Sequence, residues 1–272
     1  MAMPVDIIMI RHGESEANVI QRRIKDDPSY VAPEGFYDRH DSEMRLSQLG
    51  EQQARIAGQW ILNNVDLSQF GHFVTSTHVR AMETADLLGI CEPDRWVEDK
   101  RWVERDWGEY GVLNEVEREE KYGISKKLRE SNKYYWRPPG GESIMDVQLR
   151  YRDILGSMHR VDDELGYIVT THGDTIAAAC GENERLSPAE YVERDADKDY
   201  PIKNCQAIQY SRRNPVTGEI VRKLMWRRSI CPTDDQYSWN NGNWVELRDE
   251  KRSNLRELVE RFPRLLTDTD PA

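Results

Sequence analysis

A run of four large apolar residues, Ile7-Ile8-Met9-Ile10, stops abruptly at Arg11-His12-Gly13-Glu14-Ser15. So short a run, with no polar residue alternating through it, fits a strand covered on both faces, as in a parallel sheet, and Gly13 marks the turn that ends it. In open α/β sheets, ligands bind beyond the carboxyl ends of the strands. An adjacent arginine and histidine there stand at the mouth of a site. The same arrangement recurs along the chain. Tyr167-Ile168-Val169-Thr170-Thr171 reads as another buried strand and ends at His172-Gly173. Phe73-Val74-Thr75 reads as a short one, followed after Ser76-Thr77 by a helix from Val79 to Leu88 that carries Arg80.

Three strand ends therefore converge on one crevice, bringing two arginines and two histidines. Arginine offers paired donors that match phosphate oxygens. A neutral imidazole attacks phosphorus to form a covalent phosphohistidine. The second histidine, if protonated, and both arginines would stabilise charge building on the equatorial oxygens. Helix N-termini near Ser15 and Thr175 would add backbone donors. This chemistry calls for no metal and no cofactor. The expected ligand is a small phosphorylated substrate.

Taken in order, Arg11-His12-Gly13-Glu14, Arg80-Ala81-Met82-Glu83-Thr84-Ala85 and Thr171-His172-Gly173-Asp174-Thr175 resemble the histidine phosphatase superfamily, which includes the cofactor-dependent phosphoglycerate mutases. Leu46-Ser47-Gln48-Leu49-Gly50 with Gln53-Ala54, and Gly140-Gly141-Glu142-Ser143, agree with it. The resemblance runs from residue 5 to about 226. It implies a three-layer α/β/α fold with a central, mostly parallel sheet. It also implies that His12 is the nucleophile and that Arg11, Arg80 and His172 bind the phosphoryl group. Ser15 and Asn18 match family positions that line the phosphate site, and Asn204 matches one read as structural. The family places an acid between the second arginine and the second histidine. In Trp102-Val103-Glu104-Arg105-Asp106-Trp107-Gly108-Glu109, Glu104 aligns with it. A carboxylic acid there protonates the leaving alkoxide and later activates water. Trp102 and Trp107 would desolvate Glu104 and raise its pKa. Asp106, Glu109 and Asp174 remain alternatives.

The rest of the chain is read more coarsely. Helices are expected from Ser47, with Leu49, Ala54, Ala57, Trp60 and Ile61 at helical spacing, from Glu115 to Tyr122 before Gly123, from Glu142-Ser143 to about Arg160, and from Thr175 to Cys180. Residues 22–45 are polar and loop-like. Ala207–Tyr210 and Ile220–Trp226 flank Asn214-Pro215-Val216-Thr217-Gly218 as a hairpin. Residues 1–230 are expected to form the catalytic domain. Residues 231–272 would be an extension with one amphipathic helix, about Asp249 to Phe262, packing on its own domain or on a partner. The oligomeric state is left open. Lys126-Lys127, Arg129, Lys133 and Arg137 read as a solvated basic face.

A net charge of −11 argues against general binding of nucleic acid or anionic membranes. It does not oppose an anionic substrate, because close arginines outweigh distant screened charges. The four cysteines have no metal-ligand spacing and read as free, buried thiols in a reducing compartment. With no signal-peptide pattern and no long apolar run, a cytoplasmic protein is expected.

Two enzyme classes remain, with hydrolysis favoured over phosphoglycerate isomerisation. Gly111-Val112-Leu113-Asn114 with Lys121-Tyr122-Gly123 resembles the mutases, but the mutase lysine after that asparagine is replaced by Glu115, and of the following arginine pair only Arg137 has a counterpart. A carboxylate at 115 would repel the carboxylate of phosphoglycerate. A scaffold that kept the fold without activity would be expected to lack a core residue, and none is missing.

Overall fold

The computed structural model describes residues 3–27, 29–112, 115–161, 164–197, 200–234, 242–247, 254–260, 262 and 264. Strand β1 (Asp6–Arg11) lies at the centre of a sheet with β2 (Phe70–Thr75), β3 (Trp96–Glu98), β4 (Gly166–Thr171), β5 (Ala207–Ser211), β6 (Trp226–Ile230) and β7 (Val245–Glu246). The order across the sheet is β3-β2-β4-β1-β5-β6-β7. The first four are parallel and the last three antiparallel. β1 carries parallel Val169 and antiparallel Ile208 on either side of Met9.

The unbroken apolar run of β1 divides between two cores. Ile7 and Met9 pack with Tyr151 and Ile154 of α6 (Ile144–Arg160) and Ile176 of α7 (Gly173–Asn183). Ile8 and Ile10 pack with Ala54, Ala57 and Ile61 of α2 (Gln48–Asn64) and Leu88 of α3 (Val79–Leu88). Successive strand residues point to opposite faces, so a strand apolar at every position must be covered twice. The result is three layers. Each such isoleucine contributes about 1.5–3 kcal/mol of burial.

Helix starts follow the capping residues. Ser47 Oγ accepts the Gly50 amide at 3.1 Å, and Ser143 Oγ accepts the Asp146 amide at 3.2 Å while Asp146 returns a bond to the Ser143 amide. Elsewhere the sequence expectations need correction. The polar stretch from 22 begins inside a helix, α1 (Glu16–Asp26), which buries only Ala17 and Ile20 and so shows little apolar pattern. After the short α4 (Glu109–Val112), helix α5 (Glu115–Ser131) continues past Gly123, with a break in its dihedrals at Tyr122 (φ −135°, ψ 28°). Helix α8 (Pro188–Ala196) was signalled by a capping box, Ser187 with Glu190, and by Pro188 at its first position. The hairpin returns through Ile220, which bridges Arg213, but its regular second strand is β6, which starts at Trp226 where the expected strand ends. Asn214–Gly218 does turn, with Gly218 N donating to Asn214 O at 2.9 Å. Yet Trp226 is the residue that pairs with Ser211. β6 hides in the sequence because its buried Arg227 is paired with Glu184 at 2.7 Å.

Past residue 230, β7 adds to the sheet beside β6, and α9 (Leu255–Glu260) presents Leu255 and Val259 to solvent. The four cysteines are free thiols, with Cys180 and Cys205 buried and Cys91 and Cys231 half-buried. No helix among the described residues is long and apolar enough to cross a membrane.

Candidate active site

Neighbouring parallel strands β1, β4 and β2 deliver the site. His12 follows β1, His172 follows β4, and Arg80 lies in the first turn of α3 just beyond β2. The His12 amide donates to Thr171 O at 2.9 Å, and its ring meets His172 edge-on with centroids 5.1 Å apart. His12 Nδ1–H donates to Gly13 O at 2.6 Å. A carbonyl only accepts, so this bond puts the ring proton on Nδ1 and leaves a lone pair on Nε2. Arg80 Nε donates to that lone pair at 3.2 Å. Burial, with Arg80 and Arg11 alongside, holds the His12 pKa well below the usual imidazole range. The ring is neutral, the state a nucleophile needs.

The turn after His12 is tightly packed. Gly13 N donates to Thr84 Oγ1 at 3.1 Å, and Thr84 Oγ1 donates to Arg80 O at 2.7 Å, so one hydroxyl joins the β1 turn to α3. A Cβ on Gly13 would lie 2.4 Å from Gly50 O, which excludes any larger residue there. Asn204 Nδ2 holds His12 O at 3.0 Å.

His172 is also neutral, because burial beside Arg80 and His12 lowers its pKa well below the usual range. Its Nε2 faces Ser76 Oγ at 2.8 Å, and that oxygen already accepts the His78 amide at 3.2 Å. The Ser76 hydroxyl thus links His172 Nε2 to the first turn of α3. His172 Nδ1 has no hydrogen-bond partner among the described residues, and neither has buried Arg11 Nε, although Arg11 Nη1 donates to Ile202 O at 2.6 Å. A buried donor without an acceptor costs about 1–3 kcal/mol. Arg11 Nε is such a donor, and beside a neutral imidazole it suits an anion.

Glu104 is carried by a loop stapled to β4 and α7. Thr171 Oγ1 donates to Trp102 O at 2.6 Å, Thr175 Oγ1 to Val103 O at 2.7 Å, and Arg150 Nη1 to Val103 O at 2.8 Å. Burial first, and the like charge of Asp174 second, push the Glu104 pKa up to about 7. Trp102 packs in the core against Tyr151, and Trp107 stacks on the Arg105 guanidinium at 4.5 Å. Arg105 faces Asp174 at 4.0 Å. Glu104 and Asp174 both line a cleft of about 410 Å³ that runs from Arg11 to Tyr191 of α8 and Tyr200. The other two alternatives point elsewhere: Asp106 caps Gly108 N at 2.7 Å, and exposed Glu109 pairs with Lys121 at 2.6 Å.

Ser15 and Asn18 form the capping box of α1, with Asn18 N donating to Ser15 Oγ at 3.2 Å and Ser15 N to Asn18 Oδ1 at 3.1 Å. In the basic run, Lys133 pairs with Asp195, Arg137 with Asp146, and Arg129 lies over Trp107 and Trp136 at 5.2 and 5.5 Å. Leu113 and Asn114 lie outside the described residues. The sequence reading missed Ser76, His78 and Asp41, which all contact the pocket. Ser76 and His78 stand at a strand end, as His12 does, and were open to the same argument. Asp41 sits in a polar stretch without periodicity.

A model of the histidine phosphatase superfamily (branch 1) matches residues 7–199. The chain belongs to this superfamily. Among its relatives in the superfamily, a 2,3-bisphosphoglycerate-dependent phosphoglycerate mutase 2 of Gloeobacter violaceus is 32% identical over 196 residues, covering 69% of this chain and 79% of the relative. A 2,3-bisphosphoglycerate-dependent phosphoglycerate mutase of Nitrobacter winogradskyi is 29% identical, covering 72% and 89%. The fold is shared with a mycobacterial glucosyl-3-phosphoglycerate phosphatase solved with VO3, at TM-score 0.60 and 21% identity, covering 88% of this chain and 100% of that one. It is shared too with a putative α-ribazole-5'-P phosphatase of Escherichia coli, at TM-score 0.58 and 15% identity, covering 81% and 96%.

Proposed function

We propose that this histidine phosphatase superfamily member hydrolyses phosphomonoesters through a phosphohistidine on His12. The observation that carries the reading is the His12 ring itself: neutral, its Nδ1–H tied to Gly13 O, its Nε2 lone pair turned to Arg80. In the first step Nε2 attacks phosphorus. The P–O ester bond breaks, and its electron pair leaves on the alcohol oxygen, which takes the Glu104 proton. Arg11, Arg80 and His172 hold the phosphoryl oxygens as charge builds on them. In the second step Glu104, now a carboxylate, takes a proton from water as the water oxygen attacks phosphorus. The P–N bond breaks and its pair returns to Nε2, releasing inorganic phosphate. A pKa of about 7 suits a group that must be acid and then base near neutrality. Ser15 and Asn18 support the phosphate site by fixing the start of α1. The protein works in the cytoplasm on small phosphoesters.

The names of the relatives favour a second reading, a mutase that returns the phosphoryl group to a second hydroxyl. Against it stand Glu115 in place of the mutase lysine and the engagement of Arg137 by Asp146, on the surface. Hydrolysis of p-nitrophenyl phosphate by wild type and by His12→Ala tests the first reading, and equal rates would end it. Supplying 3-phosphoglycerate with 2,3-bisphosphoglycerate separates the two readings. Rapid 2-phosphoglycerate formation with little free phosphate would establish the mutase.

A further inference from the structure

Arg80 reaches the pocket already engaged. Its Nε–H points at the His12 Nε2 lone pair at 3.2 Å, its Nη1 donates to Asp41 O at 2.6 Å, and its Nη2 donates to Asp41 Oδ2 at 2.8 Å. Asp41 begins a short 3-10 turn, Asp41–Glu43, in the long segment between α1 and α2. The Asp41 side chain is 56% exposed and that of Arg80 only 5%, so the carboxylate covers the guanidinium from the solvent side. The turn is held from both ends. His40 Nδ1 bonds Ser42 Oγ at 2.7 Å, and further on Leu46 N donates to Glu83 Oε2 at 2.9 Å. His78 Nδ1 lies 3.8 Å from the same Asp41 oxygen. Burial, and then Arg80, lower the His78 pKa to about 4, so this ring is neutral at pH 7 and brings no second cation to Asp41.

We propose that Asp41 sets the affinity of the site for phosphoryl groups by competing with them for the Arg80 guanidinium, and so promotes release of the phosphate product. The inference rests on the phosphoryl-transfer reading above. A carboxylate and a phosphate both take paired donors from one arginine, and the same N–H groups cannot serve both fully. Attack also requires Arg80 Nε to leave the Nε2 lone pair that it covers. A bound phosphoryl group draws the guanidinium onto its own oxygens and uncovers the nucleophile. After hydrolysis the Asp41 carboxylate, anchored beside Arg80 by its turn, takes the Nη2 donor back and repels the remaining anion. Nη1 stays on the main-chain oxygen of residue 41 throughout, which keeps Arg80 near the pocket.

Calorimetric titration of inorganic phosphate into wild type, Asp41→Asn and Asp41→Ala tests this. Both substitutions leave the main-chain contact to Nη1 in place and fall on an exposed turn. The expected result is phosphate binding about tenfold tighter in both variants, with a lower KM and a lower kcat for p-nitrophenyl phosphate as release slows. Unchanged or weaker binding in the variants would overturn the role given to Asp41, since a residue that only orders Arg80 would lose affinity when removed. Failure of wild type and both variants to bind phosphate at millimolar concentrations would instead remove the phosphoryl site itself, and this inference with it.

Discussion

His12 and His172 stand at the ends of adjacent parallel strands, whereas Glu104 and Asp41 reach the same pocket from loops. The two halves are held differently. The floor is fixed by sheet pairing, with Arg11 opposite Thr171 in register and the His12 amide on Thr171 O. The walls are fixed by side chains: Thr171 and Thr175 staple the Glu104 loop, and Asp41 holds its place through Arg80. In the proposed reaction the floor binds the phosphoryl group. In the reading proposed above, Glu104 supplies the proton and Asp41 the exit, and Glu104 borders the cleft open to the alcohol portion. A fold that separates these tasks can change its leaving group while leaving its nucleophile untouched.

The sharpest way to break this division is to remove one residue from each half. His12→Ala takes away the proposed nucleophile and is expected to lower kcat/KM for p-nitrophenyl phosphate by ~10³-fold or more, with no loss of folding cooperativity. Glu104→Gln takes away the proposed proton donor and is expected to cost roughly 10²–10⁴-fold in kcat/KM for an alkyl phosphate. The two differ in their dependence on the leaving group. Nitrophenolate leaves without a proton, so Glu104→Gln should be far less damaging on p-nitrophenyl phosphate than on an alkyl phosphate. His12→Ala should be equally damaging on both. Equal sensitivity of Glu104→Gln to the two substrates would remove the acid role from Glu104.

How much of each half could be read from the sequence follows from the same contrast. Arg11, His12, Arg80 and His172 are adjacent to apolar runs whose only stable place is the middle of a covered sheet, so the strands point to the site. The three-layer fold follows from the same runs, because Ile7 to Ile10 are apolar at every position. Glu104 was found only by its resemblance to the family's acid, and its tuning by Asp174 was not visible, since the two carboxyls lie seventy residues apart. Asp41 could not be placed at all. Its segment has no hydrophobic period, and only the guanidinium it grips reveals where it goes. β6 was misplaced for a related reason: the buried pair of Arg227 with Glu184 makes a core strand look like surface.

A smaller effect isolates the tuning of the wall. In the proposed mechanism Glu104 acts first as an acid, so the rate on an alkyl phosphate should fall as pH rises through about 7, where its proton is lost. Asp174 helps hold that proton by like-charge repulsion, against the opposing pull of Arg80 and Arg11. Asp174→Asn removes the repulsion, so the falling limb should move to lower pH. A half-unit displacement means about a threefold lower rate on that limb, with little change on the acid side. A limb that stays put, or moves up, would show that Asp174 does not raise the proton affinity of Glu104.

The smallest expected effect tests where the floor ends. Ser15 is buried, lies three residues past His12, and matches a family position that lines phosphate, yet its hydroxyl accepts the Asn18 amide at the start of α1. If capping is its main work, Ser15→Ala should cost ~1 kcal/mol of stability, seen as a fall in Tm of about 2–4 °C, while KM for p-nitrophenyl phosphate and the phosphate Kd stay within about twofold. If instead the hydroxyl donates to a phosphoryl oxygen in the transition state, kcat should fall by tenfold or more with Tm nearly unchanged. The two readouts separate because the cap stabilises the fold whether or not a phosphoryl group is bound. A phosphate contact would act only when one is.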